Sequence, residues 1–116
     1  MVDTEQYLIG EDFDGVTSIS LEALKKVFED GKILEKIEIG PNGSSTMCSF
    51  IFKDHGIYNA SGFSIGYGGT GPHGLHRAIR MFCPENIEQD FWETPISKLS
   101  SNKSWNWSPR RGFTSV

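Results

Sequence analysis

The sequence predicts an α+β domain, a mostly antiparallel sheet with two or three helices packed on one side. Two observations support this prediction. Short apolar segments with strand-like alternation are separated by turn residues, and two amphipathic segments have helical spacing. The chain has 116 residues, enough for one modest core, and two domains would each be hard to stabilise. We therefore expect a single domain over residues 1–116.

The predicted strands are short and lie between turn signals. In the segment 33–39, Ile33, Ile37 and Ile39 share one face, although Glu35 interrupts the alternation. Met47–Phe52 is apolar on both faces, as expected of a central strand. The turns are predicted at 40–43 and 54–56, where glycine, proline, asparagine and aspartate concentrate. The complete set of predicted strands is 7–9, 33–39, 47–52, 57–59, 63–65 and 105–107.

The first predicted helix runs from an N-cap at Ser20 toward a terminator at Gly31. Its buried stripe has helical spacing and comprises Leu21, Leu24, Val27 and Phe28. A short third helix is predicted at 84–92 and a polar loop at 94–104. The acidic turn at 11–15 is interpreted mainly as a solvated loop, since the spacing of a calcium loop is absent.

The second predicted helix, at 72–82, has two distinct faces. Pro72 suits the first helical position because it has no N–H to leave unpaired there. The apolar stripe, which we expect to be buried, comprises Leu75, Ala78, Ile79 and Phe82. The opposite stripe is cationic or potentially cationic and comprises His73, His76, Arg77 and Arg80. That second stripe is either a solvated face or a set of ligand contacts.

The most informative segment is the glycine loop, residues 66–71, between a predicted strand and this helix. Glycine lets backbone N–H groups approach a ligand closely, and a helix N-terminus favours an anion. The loop therefore predicts a phosphate or carboxylate site, unless it is only a tight crossover where nothing but glycine fits. Its glycines formally match a dinucleotide fingerprint, but no hydrophobic strand follows the helix, so a Rossmann fold is not expected.

The segment Gly66-Tyr67-Gly68-Gly69-Thr70-Gly71-Pro72, followed by Leu75 and Ala78, resembles a motif in small bacterial and phage proteins of uncharacterised function. In that motif a strand leads through Gly-Tyr-Gly-Gly-Ser/Thr-Gly-Pro into a helix. The match covers residues 63–82. The resemblance implies a reusable loop-helix unit in prokaryotic and viral proteins, and it supplies no catalytic residues.

The charge distribution excludes some classes of function. The net charge is −4, with 11 acids and 5 bases in residues 1–60 and 4 acids and 6 bases in residues 61–116. Non-specific DNA binding, which needs a broad cationic surface, is not expected. No apolar run is long enough to span a membrane, and the first residues do not resemble a signal peptide. We expect a cytoplasmic protein of a bacterium or of an infected host cell, with Cys48 and Cys83 as reduced thiols rather than a disulfide.

These observations lead to a hypothesis of a non-enzymatic protein that binds a nucleotide or another phosphorylated ligand, as a sensor or a sequestering protein. No metal or cofactor is expected, and homo-oligomerisation is left open. Trp107 could stack on a base, or it could simply pack on the core. The predicted ligand-binding residues are Tyr67, Gly68, Gly69, Thr70, Gly71, His73, Arg77 and Trp107.

The alternative hypothesis is a protein-interaction module, such as an immunity protein or an inhibitor, that uses the acidic N-terminal half. Acidic surfaces suit the basic clefts of nucleic-acid enzymes. An enzyme ranks third. Ser64, Thr70 or either cysteine could act as a nucleophile with a histidine as base, but no local motif supports any pairing.

Overall fold

The structure is a computed structural model that describes residues 6–43, 45–66, 68–84 and 96–116. Along the chain, strand β1 and helix α1 come first, a β2–β3–β4 meander follows, and helix α2 precedes the hairpin β5–β6. The elements are β1 (Tyr7–Glu11), α1 (Thr17–Glu29), β2 (Leu34–Asn42), β3 (Ser45–Phe52), β4 (Gly56–Ala60), α2 (Thr70–Phe82), β5 (Trp105–Ser108) and β6 (Gly112–Ser115). The predicted third helix lies, apart from Pro84, outside the described residues.

The six strands form one sheet in the order β1-β4-β3-β2-β5-β6. Only the β1–β4 pair is parallel, and the other four pairs are antiparallel. Both helices pack on the same face, where their apolar residues join those of the strands in a single core. The predicted α+β class, a mostly antiparallel sheet covered on one side, is confirmed.

A bulge in β2 changes which residue near the start of the strand is buried. The pairing between β2 and β3 shifts between Leu34 and Lys36, so Leu34 joins Ile37 and Ile39 on the core face. Ile33, predicted to share that face, precedes the strand and is 60% exposed. The predicted turn at 40–43 is also wrong in part, because β2 continues to Asn42 and pairs with β3 over those residues.

Helix α1 begins four residues earlier than predicted. Its N-cap is Val16, and no side chain caps it. Ser20, the predicted cap, is a fully buried residue inside the helix. Leu24 and Val27 are buried as predicted, whereas Phe28 is 44% exposed and contacts the ring of Phe82 in α2 edge to face.

Helix α2 carries its apolar stripe as the spacing predicts. Leu75, Ala78 and Ile79 are fully buried, and Phe82 is half-buried at the end of the helix. The helix begins at Thr70, so Pro72 is its third residue rather than its first. His76, predicted on the exposed cationic stripe, is 4% exposed. The α2 core face is therefore wider than the apolar residues alone indicate.

Two other segments differ from their predictions. Residues 63–65 are not a strand, although Phe63 and Ile65 are buried and the Phe63 ring meets Phe50 edge-on at 5.8 Å. The predicted polar loop after residue 94 contributes two core residues, Ile96 and Leu99. The hairpin that β6 forms with β5 was not predicted.

Both cysteines are outside disulfides, in agreement with the predicted thiols. Cys48 is fully buried in β3, and this burial raises the pKa of its thiol to about 12. Cys83 is half-buried at the end of α2. Cys48 therefore acts as a small apolar core residue rather than as a nucleophile.

Replacing Ile79 with alanine tests the register of α2. Because Ile79 is fully buried against the sheet, Ile79→Ala is expected to lower the free energy of unfolding by about 2–5 kcal/mol. Chemical denaturation measures this change. Arg80→Ala, at an exposed neighbouring position, is the control and is expected to change stability by at most about 0.5 kcal/mol. Equal effects of the two substitutions would mean that the register is wrong.

Candidate functional site

The two helices run side by side in the same direction. At their starts, Gly74 of α2 lies against Thr17 of α1 so closely that a Cβ on Gly74 would overlap the Thr17 methyl. At their ends, the rings of Phe28 and Phe82 are 5.5 Å apart. The positive ends of both helix dipoles therefore lie together at one end of the sheet.

That end of the sheet holds a cleft, which we call the N-terminal cleft. It opens between the first turns of α1 and α2, beyond the ends of β1 and β4, which are parallel neighbours. Among the described residues that line it, none has an ionisable side chain. Many have hydroxyl groups, which come from Thr17, Ser18, Ser45, Thr46, Ser61, Ser64 and Thr70.

Beneath the cleft lies the buried carboxylate of Asp12, which is 8% exposed. The Ser61 hydroxyl and backbone N–H donate to its Oδ1 at 2.6 and 3.1 Å, and the Tyr58 hydroxyl donates to its Oδ2 at 2.8 Å. The Ser20 hydroxyl lies 3.0 Å from both oxygens. Asp12 thus joins the segment after β1 to α1, to β4 and to the segment that leads into α2.

The same cluster fixes the walls of the cleft through the backbone. Ser20 Oγ accepts from the N–H of Gly62 at 3.0 Å, and the Thr17 hydroxyl donates to the carbonyl of Gly62 at 2.6 Å. Ser61 Oγ accepts from the N–H of Gly15 at 2.9 Å. A Cβ on Gly62 would overlap the carbonyl of Val16, so this close approach requires glycine.

Burial by itself would raise the pKa of Asp12. The hydrogen bonds donated by Ser61, Tyr58 and Ser20 outweigh that effect and hold the pKa below its ordinary value. Burial, together with the hydrogen bond to the same carboxylate, raises the pKa of the Tyr58 hydroxyl. Asp12 is therefore ionised at neutral pH and partly offsets the two helix dipoles from below. The prediction of a solvated acidic turn is wrong for Asp12, while Glu11 and Asp14 are exposed.

Part of the glycine loop is the tight crossover that the sequence left open as one of its two roles. Gly71 fits tightly, since a Cβ there would overlap Ser64 Oγ. Gly66 has a positive φ of 88° and donates its N–H to the Ile96 carbonyl, so it packs against the segment after residue 96. Gly68 is exposed and has open space where a Cβ would stand. Among the described loop residues, Gly68 has open space around it, and Thr70 and Gly71 line the cleft.

Five of the predicted site residues that the structure describes do not line the cleft: Gly68, Gly69, His73, Arg77 and Trp107. Trp107 is fully buried in β5, opposite Ile37 of β2, and thus belongs to the core. Arg77 lines a groove between α1 and α2 with residues such as Leu21 and Lys25. This groove shares no lining residue with the cleft. His73 is exposed and gives its backbone N–H to the Gly69 carbonyl at 3.1 Å. Tyr67 lies outside the described residues.

Thr70 and Gly71 are the predicted residues that line the cleft, and Gly69 is the N-cap of α2 beside them. The residues that sequence reasoning missed come from α1 and from the starts of β3 and of the segment after β4. A signal for some of them is present, because Thr17-Ser18 precedes the first apolar helical residues and is a suitable helix start. Their convergence with Thr70 depends on the tertiary fold, which no local pattern encodes.

Replacing Asp12 tests the buried carboxylate. Asp12→Asn removes a charged acceptor from buried donors, so it is expected to lower the free energy of unfolding by roughly 1–3 kcal/mol at neutral pH. Because the folded pKa is depressed, the stabilisation is complete above the unfolded value of about 3.9 and is lost as pH falls through the folded pKa. The difference in free energy of unfolding between wild type and Asp12→Asn should therefore become smaller below about pH 4.

The exposed Asp14 in the same loop supplies a matched control. Asp14→Asn makes the same chemical change and is expected to leave stability within about 0.5 kcal/mol of wild type. Denaturation curves measured across the acid range provide the comparison. If Asp14→Asn destabilises as much as Asp12→Asn, or if the difference for Asp12→Asn is independent of pH, the carboxylate does not have this role.

Comparison with models of protein families, with curated proteins and with solved structures finds no match to this chain. Among the described residues, no helix is long and apolar enough to cross a membrane. The same residues contain no group of three or more histidine, cysteine or acidic side chains placed to hold a metal ion.

Proposed function

We propose that this protein is a small non-enzymatic binding protein whose N-terminal cleft takes the phosphate group of a nucleotide or another phosphorylated ligand. The observation that supports the proposal most is the meeting of two helix N-termini, those of α1 and α2, in one hydroxyl-lined cleft. A helix start offers N–H donors without intrahelical partners and a partial positive charge of about 0.5. Because two helix N-termini meet in one cleft, both partial charges attract an anion bound there.

The lining suits a phosphate more than a metal ion or an apolar ligand. Ser18 and Thr70 lie in the first turns of the two helices, are exposed and offer hydroxyl donors on both sides of the cleft. Asp12 is the opposing charge, but its oxygens accept hydrogen bonds from Ser61, Tyr58 and Ser20. Since neither Arg77 nor His76 lines the cleft, we expect moderate affinity that depends on backbone donors.

A nucleotide would place its phosphate in the cleft and its base near the rim formed by Gly68 and Gly69. This arrangement fits a sensor of a nucleotide signal or a protein that sequesters one in the cytoplasm of a bacterial or infected cell. The proposed ligand-binding residues are then Gly68, Gly69, Thr70 and Gly71 from the original set, with Thr17 and Ser18 added from α1.

A second candidate function is favoured by a different observation. Most of the large apolar side chains that are exposed among the described residues lie before residue 34, in the acidic part of the chain. They are Tyr7, Leu8, Phe13, Val16, Ile19, Phe28 and Ile33. Exposed apolar groups among acids suit a protein-interaction module that docks on a basic partner. Heat release of copurifying small molecules distinguishes the two functions, because a nucleotide would support the first.

Aspartate substitutions in the first turns of α1 and α2 test the anion site and are not expected to destabilise the helices. Ser18→Asp and Thr70→Asp put a negative charge where the helix dipole favours it, so the fold should be preserved or slightly stabilised. The same charge should repel a bound phosphate and weaken binding at least roughly tenfold. Calorimetric titration with inorganic phosphate and with a panel of nucleotides measures the affinity, and thermal unfolding measures the stability.

Ser18→Asn and Thr70→Asn are the matched controls, since they have the same shape without the charge and should bind more tightly than the aspartate variants. Arg77→Ala, in the neighbouring groove, should leave the affinity unchanged. Absence of binding by any anion in the panel would contradict the proposal. Equal affinities of the aspartate and asparagine variants would place the ligand elsewhere.

A further inference from the structure

We propose that the face of the sheet opposite the helices holds a second binding site, which takes a neutral ligand with several hydroxyl groups, as in a sugar. The site is a depression of about 510 Å³ in the surface of β2, β3 and β5, which we call the open-face depression. The residues that carry the argument are Glu38, Gly40, Met47, Ser49, Ser104 and Asn106. The depression shares no lining residue with the N-terminal cleft, so this inference is independent of the proposed anion site.

The strand register places a line of polar side chains on the face of the sheet that carries neither helix. Ile37 and Ile39 of β2 are buried in the core that the helices cover, so Glu38 between them points to the opposite face. Ser49 of β3 and Asn106 of β5 pair with Glu38 on its two sides and therefore share that face. Neighbouring strands are roughly 4.7–4.9 Å apart, so the three side chains form a line about 10 Å long.

A glycine leaves room beside this polar line. Gly40 lies on the same face, opposite Met47 of β3, and has no side chain to fill the space between Met47 and Ser104. A Cβ on Gly40 would lie 3.2 Å from Ser104 Oγ, so even a methyl group would narrow the depression. Met47 is half-buried and contributes apolar surface. A bound ligand would therefore meet polar groups on one side and an apolar group on the other, which suits the hydroxyl and C–H groups of a sugar.

The polar line can accept and donate hydrogen bonds, with acceptors in excess. The Ser49 hydroxyl donates to Asn59 Oδ1 at 2.7 Å, so its oxygen is still able to accept. An ionised Glu38 carboxylate only accepts. Asn106 is half-buried, and within the described part of the chain its side-chain amide forms no hydrogen bond, so it can both donate and accept. Hydroxyl groups, which donate and accept, match this set of partners.

The charges around the depression favour a neutral ligand over an ion. Glu38 has the only ionisable side chain among the described residues that line it. Its Oε2 lies 3.3 Å from Lys36 Nζ, so the carboxylate already has a counter-charge. An anion would be repelled by the Glu38 carboxylate, and a cation would have to compete with Lys36 for it. A hydroxyl group can donate to the carboxylate without displacing the lysine.

NMR titration of the wild-type protein with glucose, galactose, mannose and N-acetylglucosamine tests the proposal. At least one of these sugars should shift the amide resonances of residues 38–40, 47–49 and 104–106, with one common saturation curve at millimolar concentrations. Inorganic phosphate and choline, at matched ionic strength, are the anionic and cationic controls and should leave these resonances unchanged. If no sugar shifts them, or if the shifts lie elsewhere in the chain, the proposal is overturned.

Replacing Asn106 tests whether the polar line binds the sugar. Asn106→Ala removes the amide and should raise the dissociation constant roughly tenfold, as expected when one or two hydrogen bonds are lost. Thr114→Ala is the matched control, because Thr114 pairs with Asn106 in the same row but does not line the depression. The control should bind like wild type, and thermal unfolding should show that both variants are folded. Equal affinities of the two variants would overturn the proposal.

Two substitutions of Glu38 separate a neutral ligand from a cation. Glu38→Gln keeps an acceptor oxygen at the same position, so it should retain part of the sugar affinity that Glu38→Ala loses. If the carboxylate acted through its charge, both variants would lose binding to the same extent, and wild type would bind choline. That result would overturn the proposal, because it would identify the depression as a cation site.

Discussion

The hydrogen bonds to the Asp12 carboxylate are the constraint on which the rest of the structure depends. This buried group connects two stretches that are far apart in sequence: the end of β1 with helix α1, and β4 with the segment that leads into α2. An ionised carboxylate in a core is unfavourable unless its oxygens are satisfied. The Tyr58 and Ser61 donors satisfy them only when β1 lies parallel to β4, which makes the parallel pair and the position of α1 mutually dependent.

The side-by-side helices follow from the same constraint. Parallel neighbouring helices bring like dipole ends together, which is unfavourable, and the fold allows it through two compensations. The negative charge of Asp12 lies beneath the two helix starts, and the close approach of Gly74 to Thr17 gives tight packing over the core. The cleft is thus a consequence of how α1 and α2 are held, and the electrostatics that a phosphate would use are part of the architecture.

The fold class and the core of α2 could be predicted because they depend on local periodicity. The spacing of Leu75, Ala78 and Ile79 fixes one face of a helix whatever lies opposite. The burial of Leu34 could not be predicted, because a bulge against β3 moved it to the core face. In the local sequence, Asp12 is one acid of an acidic turn. Its burial depends on donors distant in the sequence, such as Tyr58.

The candidate site also combines features that local sequence predicts with features that depend on long-range contacts. The glycine loop correctly indicates a helix start, and its notable composition is partly explained by packing, since Gly71 lies against Ser64 and Gly66 lies against the segment around Leu99. Trp107 was a reasonable stacking candidate by composition, yet its position in β5 opposite Ile37 buries it. The hydroxyl groups of Thr17 and Ser18 are unremarkable in the sequence because their relevance depends on the approach of a second helix 50 or more residues away.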